Sequence, residues 1–147
     1  MSVPDHDRNG ELPPGEHEAT LSEIDEKFGK SSPRRIALMN GLKNAVKNFQ
    51  SAGVQKIWVN GSFVTTKLEP NDIDGCWEYS DFVNVKKLDP VFLQKSRMPM
   101  KAKFGLEFFP ACIVEGDSGL PFPSFFQINR DGDPKGILIV DLSGVIL

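Results

Sequence analysis

The sequence predicts an α+β fold, a mixed sheet with helices mainly on one face, and three observations carry that expectation. One long amphipathic segment needs a sheet to cover its apolar stripe, short β-branched and aromatic runs supply strands, and helices and strands alternate early while strands cluster late. A chain of 147 residues, 39% hydrophobic and 25% charged, has the size of one domain with a modest core.

Residues 1–14 are polar, Pro-containing and aperiodic, so they read as a flexible N-terminal arm laid on the surface, with residues 15–147 forming the single domain. Thr20-Leu21-Ser22-Glu23 fits a capping box that opens a short helix, whose Leu21, Ile24 and Phe28 share one side before Gly29 ends it. Ser32-Pro33 opens a stronger helix with a stripe of Ile36, Met39, Leu42, Val46 and Phe49, with polar Arg35, Lys43, Asn44 and Lys47 between, stopped by Ala52-Gly53. Residues 54–59 form the first strand and residues 72–79 the second, after Pro70-Asn71. Residues 88–103 read as helical in parts, starting at Asp89-Pro90 and broken near Pro99. Residues 107–114 make a third strand. The chain then reads as a hairpin, residues 124–128 turning through Asn129-Arg130-Asp131-Gly132-Asp133 into residues 136–142. That turn lacks the closing acid of an EF-hand calcium loop. The series Lys95, Arg97, Lys101, Lys103 reads as a solvated helix face, and Trp58, Trp77 and the later phenylalanines as packing.

Composition narrows the chemistry. Both histidines, His6 and His17, lie near the start of the chain, which argues against Ser-His-Asp, Cys-His and His-rich zinc sites. Cys76 and Cys112 sit in apolar runs without a CxxC partner, as reduced core thiols of a cytoplasmic protein do. No apolar run approaches the roughly 20 residues of a membrane span, and residues 1–9 are charged where a signal peptide would be apolar. With 17 Lys and Arg against 20 Asp and Glu, net −3, contact with nucleic acid would have to come from a local patch. Carboxylates are left to carry any chemistry.

The informative stretch runs from Val59 to Asp74. Residues two apart on a strand share a face, so Asp72 and Asp74 present two carboxylates side by side, an arrangement that persists most readily where a divalent cation bridges them. Gly61 after a strand lets the backbone approach a ligand, and Ser62 offers an N–H and a hydroxyl to a phosphate oxygen.

An apolar strand, Gly61-Ser62, about ten residues and then Asp72-Ile73-Asp74 resembles the nucleotidyltransferase superfamily, of the DNA polymerase β-like, minimal nucleotidyltransferase type. The wider run through Leu12-Pro13-Pro14-Gly15, Phe125-Phe126-Gln127 and Asp131-Gly132-Asp133-Pro134-Lys135-Gly136 is similar to a small uncharacterised bacterial family with this core. The resemblance implies a nucleotidyltransferase-like sheet in which Asp72 and Asp74 hold Mg²⁺, or Mn²⁺, on a nucleoside triphosphate (NTP). Gly61, Ser62 and Lys67 then contact the nucleotide. A third carboxylate shares the metal and helps deprotonate a hydroxyl acceptor on protein, RNA or a small molecule. Glu107, in Leu106-Glu107-Phe108-Phe109-Pro110-Ala111, fits that third position in chain order, and Asp141, in Ile139-Val140-Asp141-Leu142, is the rival. The chain departs from the pattern at Val64-Thr65-Thr66, where a basic residue is usual and only Lys67 follows, at Asn71 before the first Asp, and at Gly75 after the second. Little chain is left to bind a base or an acceptor, so a protein partner or a homodimer would supply that surface. The alternative implied is an inactive nucleotidyltransferase-fold binding protein, such as a toxin–antitoxin or phage-defence component acting by contact.

Overall fold

The computed structural model describes residues 3–143, so the first two residues of the expected arm and the last four of the expected domain lie outside the described residues. The strands β1 (Gly15–Glu18), β2 (Lys56–Asn60), β3 (Ile73–Trp77), β4 (Leu106–Pro110) and β5 (Gly136–Asp141) form one sheet in the order β1-β5-β2-β3-β4. The sheet is mixed: β1 with β5 and β3 with β4 are parallel, whereas β2 is antiparallel to both β3 and β5. Together with the helices α1 (Leu21–Phe28), α2 (Pro33–Ser51), α3 (Met98–Phe104) and α4 (Phe122–Phe125), this is the predicted α+β architecture.

Period-two alternation divides the sheet into two faces. Ile57, Val59, Ile73, Leu106, Phe108 and Leu138 pack against α1, α2 and α3 in the main core. Trp58, Cys76 and Ile137 face the other way, where a smaller cluster gathers Phe109 and the phenylalanines of the one-turn α4 segment. Among the described residues no helix is long and apolar enough to cross a membrane.

Both predicted caps form. Thr20 Oγ1 accepts from Glu23 N at 3.1 Å while Glu23 Oε1 accepts from Thr20 N at 2.9 Å. The Ser32 hydroxyl accepts from Arg35 N, with Pro33 in the first turn.

Several expectations are corrected. β1 was not anticipated because Gly-Glu-His-Glu carries no apolar alternation. Among the described residues it is an edge strand held by β5, with Glu16 and Glu18 in solvent. The late hairpin does not form, since residues 122–125 are helical and β5 inserts between β1 and β2. What remains of it is the turn, with Asn129 N donating to Asp133 O at 2.8 Å, closed by a single antiparallel bridge between Ile128 and Pro134. Cys112 is exposed in a turn after β4, so Cys76 alone is a core thiol. The expected arm lies along the body, and Leu12 enters the core at 1% exposure.

The α2 stripe is rotated from the expected one. Ile36 is 46% exposed and Arg35 only 3%, because at 100° per residue Arg35 stands about 20° from Leu42 around the axis and Ile36 about 120°. A buried guanidinium must have its donors satisfied. Arg35 Nη1 donates to Phe28 O at 3.1 Å and Phe63 O at 2.6 Å, and Nη2 donates to Thr65 O at 3.0 Å and to Lys67 O. Three of those carbonyls belong to the loop that follows β2. Arg35→Met is therefore expected to lower unfolding stability by about 2–4 kcal/mol in urea denaturation, by stranding those carbonyls. Arg35→Lys restores only part of it, since one ammonium cannot replace a planar fork. Variants within about 0.5 kcal/mol of wild type would show that the anchor is dispensable.

Candidate functional site

The parallel register of β3 and β4 sets Asp74 beside Glu107, and the antiparallel register of β2 sets Asn60 beside Asp74. All three lie on the face turned away from the main core, because their strand neighbours Val59, Ile73, Leu106 and Phe108 belong to it. Asp72, two residues before Asp74, comes to the same place. One oxygen each from Asp72, Asp74 and Glu107 lies within 4.8 Å of the others. Asp141 is not brought to this group. It pairs with Lys56 at the opposite end of β2, four strand steps or roughly 13 Å from Asn60, and there it accepts hydrogen bonds from Ser143.

Gly61 stands between the end of β2 and these acids. Its φ of +85° favours glycine, and a Cβ there would sit 2.5 Å from Asp74 Oδ2, so conformation and close approach both require it. Residues 62–64 make one 3₁₀ turn. Arg35 pins that loop from beneath, and the N-terminal segment pins it from the side: His6 Nε2 lies 3.0 Å from Val64 O, and Thr66 N donates to Gly10 O at 3.2 Å. The loop is thus a braced platform. Among the described residues the Ser62 hydroxyl has no hydrogen-bond partner.

A cleft of about 640 Å³ is lined by all six of the favoured residues, Asp72, Asp74, Glu107, Gly61, Ser62 and Lys67. Lys67 is exposed, at its rim. The rest of the wall includes Glu11, Asn60, Phe125, Asn129, Arg130 and Lys135.

Electrostatics mark Asp74 as the inner group. Burial first, then the charges of Asp72 and Glu107, push its carboxyl up to about 7 against the opposing charge of Lys135, and a hydrogen bond with the Asp72 side chain favours its protonated form. Two cations of the α3 region face the acids rather than only solvent. Lys101 Nζ is 3.1 Å from Asp72 Oδ2 and 3.8 Å from Glu107 Oε1, and Arg97 Nη1 is 3.5 Å from Glu107 Oε2. The hydrogen bond to Asp72 and the surrounding carboxylates raise the Lys101 pKa. Burial lowers that of Lys135, partly countered by Glu11 and Asp74.

Asn60 is the residue that sequence reasoning passed over. It is 3% exposed, and among the described residues its Oδ1 is buried without a hydrogen-bond partner although the residue lines the cleft. Its signal was present in the sequence, as a polar residue ending an apolar strand two places after Trp58. Gly75, the departure from the motif after Asp74, has a packing cause: a Cβ there would meet the Phe108 ring at 2.7 Å and Trp58 O at 2.2 Å.

The chain belongs to a family of unknown function, DUF6932, whose model matches residues 4–141. Searches of curated proteins and of solved structures return no match.

The raised Asp74 pKa makes the metal-free protein pH-sensitive in a defined direction. An unfolded aspartate titrates near about 3.9, and folded Asp74 near about 7. Between these values the unfolded chain has released a proton that the folded one keeps, so this group lowers stability as pH rises through the window, and its effect levels off above it. Asp74→Asn escapes that loss while remaining able to donate to Asp72. In EDTA, the melting temperature of Asp74→Asn should exceed that of wild type by a margin that widens from pH 4 to pH 7. A margin independent of pH contradicts the assignment.

Proposed function

We propose that this family member is a metal-dependent nucleotidyltransferase, which moves a nucleoside monophosphate from an NTP to a hydroxyl acceptor on protein, RNA or a small molecule. The observation that carries the reading is the convergence of Asp72, Asp74 and Glu107 oxygens within 4.8 Å, beside the Gly61-Ser62 turn. Three hard oxygen ligands suit Mg²⁺ or Mn²⁺. The buried, unpartnered Asn60 Oδ1 beside them is a fourth oxygen that fits such a group, directly or through water. A divalent cation held there would neutralise phosphate charge and polarise the bond to be broken.

The chain's own residues do the rest. Gly61 and Ser62 bind the phosphates, with backbone N–H and hydroxyl donating to their oxygens, and the braced loop holds those donors without reorganisation. Asp72 and Asp74 would hold the cation that meets the phosphates. The acceptor oxygen bonds to the α-phosphorus as the bond to the bridging oxygen breaks. Pyrophosphate leaves with that electron pair, and the acceptor proton passes to a carboxylate, a role we give to Glu107. No histidine takes part. We assign the work to the cytoplasm, since the two unpaired cysteines, one of them exposed, suit a reducing compartment. A protein partner or second copy would present the acceptor.

One observation favours a second reading, an inactive binding protein on the same scaffold, such as a toxin–antitoxin or phage-defence component. Lys101 and Arg97 already engage Asp72 and Glu107. The readings part in one assay. Incubated with Mg²⁺ and each labelled NTP in a host lysate, the enzyme should release pyrophosphate and label an acceptor, and Asp72→Ala/Asp74→Ala should reduce both by at least about 100-fold. Failure of the wild type to do either, with the double variant retaining its biological effect, sinks the catalytic reading.

A further inference from the structure

The cleft holds a cation that the mechanism above does not use. Lys135 precedes β5, and β5 pairs with β2 in the register Val59↔Leu138 and Trp58↔Ile139. Continued beyond the end of the ladder, that register brings Asn60 opposite Ile137 and Ser62 opposite Lys135. Ile137 packs on the face that carries Trp58 and Cys76, so Lys135, two residues earlier, comes to the face that also bears Asn60, Asp74 and Glu107. Lys135 duly lines the cleft with Ser62 and the acids. Its backbone is fixed, with Lys135 N donating to Gln127 O at 2.8 Å and Gly136 N to Leu12 O at 3.0 Å.

The other cations near the site are accounted for differently. Lys101 and Arg97 are ion-paired to the acids from the α3 side, and Lys67 and Arg130, which also line the cleft, are exposed. Lys135 is half-buried, and among the described residues its ammonium makes no ion pair and no side-chain hydrogen bond. The nearby charges of Glu11 and Asp74 act on this partly dehydrated ammonium without hydrogen-bonding to it, so its donors are left for an anion. The Ser62 hydroxyl, which lines the same cleft on a loop braced by Arg35, is also unpartnered among the described residues. Two donors without hydrogen-bond partners in one cleft, from the segments that follow β2 and precede β5, describe a receptor for anionic oxygens displaced from the three acids.

We infer that Lys135, together with Ser62, binds the polyphosphate tail of the nucleotide, making Lys135 rather than Lys67 the lysine that grips the leaving pyrophosphate. This rests on the metal-dependent reading of the same cleft. In the bound state the acids lie on the α-phosphate side and Lys135 on the β- and γ-phosphate side, so the negative charge that grows on the leaving group develops beside a fixed cation.

Inorganic tripolyphosphate, which has no base or sugar, isolates the contact. Titrated calorimetrically in saturating Mg²⁺, it should bind Lys135→Gln roughly 10- to 100-fold more weakly than wild type, as loss of a charged hydrogen bond predicts. Lys135→Arg should recover most of the affinity, and Lys67→Gln should stay within about threefold of wild type. Mg²⁺ titrated alone should bind Lys135→Gln no more weakly than wild type, since the substitution removes a cation that opposes charge on Asp74. Tripolyphosphate binding that is unchanged in Lys135→Gln, that falls in Lys67→Gln instead, or that is missing from a wild type that binds Mg²⁺ overturns the assignment and leaves the metal reading intact. A wild type that binds no Mg²⁺ overturns the metal reading. The lysine contact is then decided by the same titration in EDTA, where independence from Lys135 overturns it too.

Discussion

Three carboxylates whose oxygens stand within 4.8 Å of one another repel, and the surroundings of the cleft are arranged around that repulsion. Strand register enforces it: β3 and β4 run parallel with Asp74 level with Glu107, and neither can withdraw without breaking the ladder that also carries Ile73, Phe108 and Trp77 into the core. In the metal-free state the strain is relieved in two ways. Asp74, whose carboxyl is pushed up first by burial, retains a proton up to about pH 7, and Lys101 and Arg97 approach the other two acids from the α3 side. Both are interim partners for an anionic hole. A proton can leave, and two exposed long side chains can swing away, so neither prevents a divalent cation from taking their place.

Around that hole the scaffold is stiff. Arg35 lies beneath the loop after β2 and takes three of its carbonyls, while the N-terminal segment contacts it at Val64 and Thr66. Turning carbonyls toward the body leaves the Ser62 hydroxyl to the cleft. Gly61 closes the gap to Asp74 to a distance that no side chain could share. Binding of phosphate to such a surface requires little further ordering, which is where a site of this type gains its rate.

How far the sequence foretold this depends on whether local pattern or strand order was the deciding factor. The caps at Thr20 and Ser32 and the shared direction of Asp72 and Asp74 are local properties, readable from spacing alone. Choosing Glu107 over Asp141 was not a local matter. Both are acids in apolar strands, and what separates them is that β4 pairs beside β3 while Asp141 ends β5 at the far end of the sheet. The same non-local pairing hid β1, whose polar residues are tolerated because β5 holds it, and turned the expected late hairpin into a central strand inserted between β1 and β2. Arg35 was obscured for another reason. A charged residue reads as surface unless its position seven residues before Leu42 is given more weight than its charge.

The central claim is that Asp72, Asp74 and Glu107 form one divalent-cation site. Mn²⁺ binding followed by electron paramagnetic resonance at pH 8, where Asp74 is ionised, tests it most directly. Wild type should deplete the free-Mn²⁺ signal at stoichiometric ratios, and Asp72→Asn and Glu107→Gln should each weaken binding by at least about tenfold while keeping the fold. Binding that is absent from the wild type, or indifferent to both substitutions, would contradict the claim.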